Sequence, residues 1–143
     1  MQDPILSNTI TKRLYTSRGI LIGSILAGPI VAGYMMSQNS TTLRLRDQRR
    51  IWLISITGFL VITMLAMSLP ASVPAFLFIF ANAAFGYYSA QYLQGKQIDE
   101  HLSNGGRVYS AWRSAGIALI FTAILVLFAL GSFLLADLYA GKI

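Results

Sequence analysis

A chain of 143 residues with 55% hydrophobic and only 11% charged residues cannot cover a water-facing surface, where about a quarter of residues are normally charged. The same figures exclude intrinsic disorder, the lack of Cys excludes disulfides and thiolate chemistry, and a single His excludes a multi-His metal site. The net charge of +6 points to a membrane surface rather than to nucleic acid, because the Lys and Arg residues lie between apolar runs.

The N-terminal tail carries Leu6, Ile10 and Leu14 at i, i+4 spacing, with Lys12 and Arg13 off that face. This pattern predicts a short interfacial helix with Ser7 or Asn8 as its N-cap. The first apolar run, 20–36, is short: a straight helix of that length reaches about 26 Å. It also contains Gly23, Gly28, Pro29 and Gly33. Pro29 removes a backbone donor and clashes with the carbonyl of Ile25, so a kink or break is expected there. The run is therefore either a kinked spanning helix or a re-entrant segment that turns at Gly28-Pro29. Tyr34-Met35-Met36 does not fit a signal-peptide cleavage site.

Residues 37–50 read as a polar, basic link. The runs 51–69, 73–93 and 114–139 each meet the length of about 20 residues needed to cross the hydrocarbon. They must be helices, because lipid offers no partners to the backbone. Pro70-Ala71-Ser72 joins the second and third runs in a tight turn. In the link 94–113 the third helix is expected to continue outward, with Ile98 and Leu102 on one face, until Asn104-Gly105-Gly106 stops it. The expected fold is an all-α integral membrane protein. It forms one transmembrane domain over 1–143, a bundle of three to four transmembrane helices with a first segment kinked or re-entrant at Gly28-Pro29.

Charge bears on the choice between the two arrangements. Lys and Arg near membrane ends mark the cytoplasmic side. The tail has Lys12, Arg13 and Arg18, and the first link Arg44, Arg46, Arg49 and Arg50. The last link has Lys96, Arg107 and Arg113, and the C-terminus Lys142. With four spans, the better orientation puts seven of these inside and four outside. With re-entry the division is ten and one. Both arrangements place links 37–50 and 94–113 in the cytoplasm.

Small residues mark close helix contacts in lipid. Gly19, Gly23 and Ala27 recur at every fourth position, and Ser24, Gly28 and Ala32 do so on the neighbouring ridge. Either packing within the chain or contact between copies would use them. Asn82, with Gly86 and Ala90 on its face, is expected to bond across a helix pair or to line a substrate path. Asp99-Glu100-His101 reads as a solvated helix end, since consecutive helical residues point apart. Trp52 and Trp112 adjoin Arg50-Ile51 and Arg113, and with Tyr87, Tyr88, Tyr92, Tyr109 and Tyr139 they suit the head-group level. Arg44, Arg46, Arg49, Arg50 and Arg113 are candidates to hold anionic head groups. Asn39-Ser40-Thr41 matches a glycosylation sequon, but on the cytoplasmic side. No catalytic template, cofactor motif or metal-ligand set is present, so no enzyme activity and no cofactor are expected.

Leu14-Tyr15, Gly28-Pro29, Ala32-Gly33-Tyr34 and Asn39, with Trp112 before the last run, resemble a group of small bacterial polytopic inner-membrane proteins. In that group an apolar Gly-Gly-Pro/Ala-Gly-Tyr stretch ends in Asn, and here Ala27 replaces the first Gly. The resemblance covers most of the chain and implies a bacterial inner-membrane location but no activity. The partners expected are the bilayer, including its anionic lipids, and a second copy or a membrane-complex subunit, with no nucleic acid. The expected role is a non-catalytic scaffold, anchor or accessory subunit. The rival is a small oligomeric transporter or channel component.

Overall fold

The computed structural model describes residues 11–141. Among them lie four helices: α1 (Ser17–Leu43), α2 (Gln48–Ser68), α3 (Phe76–Ser103) and α4 (Ala111–Tyr139). By length and composition, α1, α2 and α4 could each cross a membrane. α3 is less apolar, because Asn82, Gln91 and three tyrosines dilute its apolar part and its last turns are polar. The all-α membrane bundle expected from the apolar runs is the architecture found.

α1 does not cross in a straight line. Gly28 interrupts it with φ 72° and ψ −164°, a backbone conformation outside any helix. The Tyr15 N–H donates to Asn39 Oδ1 at 2.8 Å, and Asn39 Nδ2 donates back to the Tyr15 carbonyl at 2.8 Å. In an unbroken helix those residues would stand about 36 Å apart. The chain has therefore turned back on itself, and α1 is a hairpin of two helical arms, 17–27 and 29–43. Contacts across the arms agree: a Cβ on Gly23 would meet Met35 and Val31 of the second arm. The re-entrant alternative is the one realised.

The local chemistry explains the turn. Gly tolerates positive φ at the end of the first arm, and Pro29 fits the first position of the second, where its missing N–H has no helical partner to lose. Thr16 caps the first arm by accepting from the Gly19 N–H at 3.1 Å. Arm 17–27 is about 16 Å long, so its tip lies near the middle of a hydrocarbon layer about 30 Å thick.

The hairpin is the core of the bundle. It packs against all three other helices, most extensively α3. Its most apolar stretch is 67% buried, against 11% in α2 and 6% in α4. Ile20, Val31, Ala32, Met35 and Met36 are fully buried, joined by Ile51, Ala90 and Ala118 from the surrounding helices. Beyond the tip, α2, α3 and α4 continue with almost no buried residues, and their outer faces carry exposed Leu, Ile and Phe.

Both ends of the hairpin, the start of α2, the end of α3 and the start of α4 meet at one end of the bundle. The ten Lys and Arg residues from Lys12 to Arg113 all belong to that end. The opposite end holds the turn between Ser68 and Phe76 and the end of α4.

Several boundaries differ from the sequence reading. The helix runs to Leu43, so the first seven residues of the supposed link 37–50 are helical, with Asn39 and Ser40 buried. The third helix starts at Phe76 rather than at residue 73, because Pro74 disfavours helical backbone at Val73 and the segment instead closes turns onto Pro70 and Pro74. Leu14 is not helical: it pairs in extended form with Val108, its N–H donating to the Arg107 carbonyl and its carbonyl accepting from the Tyr109 N–H. The rest of the interfacial helix expected in the tail, including Leu6, Ser7, Asn8 and Ile10, falls outside the described residues. As expected, the third helix continues outward and ends before Gly105, which takes φ 73°.

Candidate functional site

Two polar zones lie along the hairpin, one at its base and one at its tip. At the base, Asn39 sits on the second arm and is 1% exposed. Besides its pair of bonds to Tyr15, its Nδ2 donates to Gln94 Oε1 at 3.3 Å. Gln94, fully buried on α3, donates through Nε2 to the Met36 carbonyl and to Ser40 Oγ, both at 2.8 Å. Ser40 Oγ in turn donates to Asp47 Oδ1 at 2.6 Å, just ahead of α2. One connected network thus ties the extended segment before α1, the second arm, the residue ahead of α2 and α3. Every polar atom of Asn39 and Gln94 is paired, so the network can hold the hairpin shut but presents no free group for chemistry.

Beside it, Tyr15 stacks on Tyr109 with ring centroids 4.5 Å apart. Arg113 lies 4.2 Å over the Tyr109 ring and donates through Nε to the Tyr15 hydroxyl at 3.2 Å. His101 is not a solvated residue as expected. It is 6% exposed, with Nε2 3.0 Å from the Arg107 carbonyl oxygen, and it braces the loop that carries Val108. Asp99 and Glu100 remain exposed. The side chains of this base come from the segment before α1, from α1, from the residue ahead of α2, from α3, from the 104–110 loop and from α4.

At the tip, a cavity of about 500 Å³ opens below Gly28 and Pro29. Phe59, Thr63, Phe78, Asn82 and Thr122 contribute to its walls. Asn82 faces the turn: its Oδ1 lies 3.6 Å from where a Cβ on Gly28 would stand. That Oδ1 is buried and has no hydrogen-bond partner among the described residues. Thr122 Oγ1 donates to the Leu26 carbonyl at 3.0 Å, satisfying one of the carbonyls left over where the first arm ends. Two half-helix ends therefore meet near mid-bilayer beside an apolar cavity with a few polar groups.

The small residues singled out in the sequence face neighbours within the chain. A Cβ on Gly19 would stand 2.9 Å from Ser114 Oγ of α4, and one on Gly33 would stand 2.5 Å from Ser55 Oγ of α2. Gly86 of α3 lies against Ser24, whose own hydroxyl donates to the Ile20 carbonyl at 2.9 Å. Replacing Gly86 by Val is thus expected to lower stability by about 1–3 kcal/mol through overpacking. Gly116, with open space around it, should accept Ala with little change. Equal thermal unfolding shifts for the two variants in detergent would refute this account of the α1–α3 contact.

The interfacial residues divide by what they touch. Arg50 donates to the Tyr92 hydroxyl at 3.1 Å and lies over its ring at 5.4 Å. Arg44 closes α1 in a left-handed conformation, φ 57°. Arg46 and Arg49 are exposed. Trp52 wedges beside Gly33, and Trp112 is 86% exposed at the start of α4. The sequence reading did not single out Gln94 or Asp47; it named Ser40 only within a sequon, and Asn39 both there and in the resemblance.

Compared with protein-family models, with curated proteins and with solved structures, the chain matches none.

Proposed function

We propose that this protein is a non-catalytic membrane subunit, a scaffold or anchor that presents lipid-facing helices to a partner and a basic end to the cytoplasm of a bacterium. One observation carries the reading. The buried polar side chains at the base are committed to holding the hairpin, while the outer faces of α2 and α4 stay apolar and uncovered. Exposed apolar faces suit lipid and, over part of their area, another helix. The resemblance to small inner-membrane proteins supports the location.

Photo-crosslinkers at Leu127 and Phe128, on the exposed part of α4, test the role in native membranes. Discrete protein adducts are expected there and not at buried Ala118. Adducts to lipid alone would overturn the scaffold reading. Sidedness follows from the charge distribution and the hairpin. A tag at the N-terminus should be reached only from the cytoplasmic side and a tag at the C-terminus only from the outside, because three crossings separate them. Protease protection in inverted and right-side-out vesicles reads this, and tags on the same side would contradict it.

A second reading, a transporter or channel component, is favoured by the tip. Broken helices whose ends meet at the midplane line substrate sites in transporters, and Gly28, Asn82 and the cavity below them have that placement. Flux in reconstituted vesicles that Asn82→Leu abolishes, with folding intact, would move this reading ahead of the first.

A further inference from the structure

We propose that the outer face of α2 at the basic end binds one anionic glycerophospholipid, with its phosphate on Arg49 and its acyl chains along Leu53 and Ile56. Gln48, Arg49, Trp52, Leu53 and Ile56 line a groove of about 540 Å³ there. Arg49, Trp52, Leu53 and Ile56 follow i, i+3, i+4, i+7, so they form one stripe down one helix face. The stripe descends about 10 Å, from the head-group level into the acyl region. Its chemistry changes in the same order: a cation, then an indole, then two aliphatic side chains. A phospholipid changes in that order too, from phosphate to ester to hydrocarbon.

Arg49 shares with Arg44 and Arg46 the lack of a side-chain partner among the described residues, but of the three it alone lines the groove. Arg50 is engaged by Tyr92, and Arg113 by Tyr15 and Tyr109. Among the described residues nothing pairs with the Arg49 side chain, and Trp52 stands below it as the wall of the groove, fixed against the hairpin at Gly33. The indole N–H of Trp52 likewise makes no hydrogen bond among the described residues, and it lies at the depth of a glycerol ester. Among the described residues no acid lines the groove. The nearest in sequence, Asp47, accepts from Ser40. A zwitterionic head group would bring an ammonium with no carboxylate to meet it, so the groove selects a net negative lipid.

The test is native mass spectrometry of the full chain in detergent, with phosphatidylglycerol and phosphatidylcholine of matched acyl chains. One retained phosphatidylglycerol per chain is expected, about fivefold preferred over phosphatidylcholine. Arg49→Gln should erase that preference and Leu53→Gln should weaken retention, while Arg49→Lys and Arg46→Gln stay within about twofold. Because Arg49 is exposed and unpaired and Leu53 is 68% exposed, the variants should share one unfolding temperature, and Leu53→Gln carries the test if Arg49→Gln fails to fold. Equal losses in Arg46→Gln and Arg49→Gln would overturn the site in favour of a diffuse basic surface, and full competition by inorganic phosphate would overturn the role of the acyl chains. The proposal rests on the membrane reading. Failure of the chain to insert into vesicles made of these lipids would sink both, whereas insertion together with equal retention of the two lipids in detergent would sink this site alone.

Discussion

Asn39→Ala is expected to destabilise the protein by about 2–6 kcal/mol, because two buried backbone groups lose their partners at about 1–3 kcal/mol each. Tyr15 is 2% exposed, and its N–H and carbonyl are both bonded to the Asn39 amide. The neighbouring residue Leu14 already pairs with the 107–109 segment, so no other strand is available to Tyr15. Gln94 loses a donor at Oε1 in the same variant. Asn39→Asp keeps the acceptor but turns a carboxylate toward the Tyr15 carbonyl and Gln94 Oε1, so it should fare no better than Ala. Gln94→Ala leaves the Met36 carbonyl and Ser40 without a donor and should cost less. The double variant is expected to be non-additive, since the two side chains share one network. Thermal unfolding in detergent measures the loss, and amide exchange at Tyr15 localises it. An unchanged unfolding temperature with slow Tyr15 exchange would show that Asn39 does not hold the hairpin base.

The same bonds explain why a turn-back is stable at all. A re-entrant segment places two helix ends and a turn in lipid, where unpaired backbone is costly unless protein surrounds it. Here α2, α3 and α4 enclose the arms, Thr122 answers a carbonyl at the tip, and Asn39 clamps the base. The surrounding helices hardly touch one another. Loosening the hairpin therefore removes the element on which each of them packs. Under the scaffold reading, Asn39→Ala should also reduce crosslinks from α4, although α4 contains none of the altered contacts.

Much of the fold was legible because lipid imposes simple rules. Long apolar runs must be helices, and Gly28-Pro29 names a place where one of them stops. The ten-to-one division of Lys and Arg favoured re-entry, and the bonds between Tyr15 and Asn39 supplied the geometric evidence. The base network was not legible. Asn39 and Gln94 are 55 positions apart, and hydropathy records that each is polar without recording that each has a partner. For that reason residues 37–43 read as a solvated link although they are helical and partly buried. His101 was misread in the same way, since nothing local indicates that the 104–110 loop folds back over it. Of the residues compared with the small inner-membrane proteins, Trp112 stands apart, exposed at the start of α4, while Tyr15, Gly28-Pro29, Gly33 and Asn39 share one element or its base. They are the base, the tip and a packing point of one hairpin.

The tip supplies the other large effect. Gly28→Ala is expected to cost about 1–3 kcal/mol, since φ 72° with ψ −164° is a region that L-residues other than Gly scarcely occupy. Space is not the obstacle: the nearest atom to a new Cβ is Asn82 Oδ1 at 3.6 Å, an ordinary contact. The penalty is conformational, so Gly28→Ala and Gly28→Ser should lose similar amounts despite their different side chains. Pro29→Ala should lose less than half as much. At the first position of the second arm Pro contributes a preset φ and sacrifices no bond, so Ala there gives up only that preorganisation. A Pro-kinked spanning helix would behave in the opposite order. There Pro29 would cause the bend, Pro29→Ala would restore a missing backbone bond, and Gly28→Ala would be neutral or favourable through helix propensity. Equilibrium unfolding of the two single variants separates the cases by sign. In the double variant Gly28→Ala with Pro29→Ala, the local preference for a straight α1 becomes strongest and opposes the Asn39–Tyr15 clamp. If the clamp holds, the N-terminal tag stays on the basic side. Adding Asn39→Ala to that double variant should then release a fraction of the tags to the other side of the membrane.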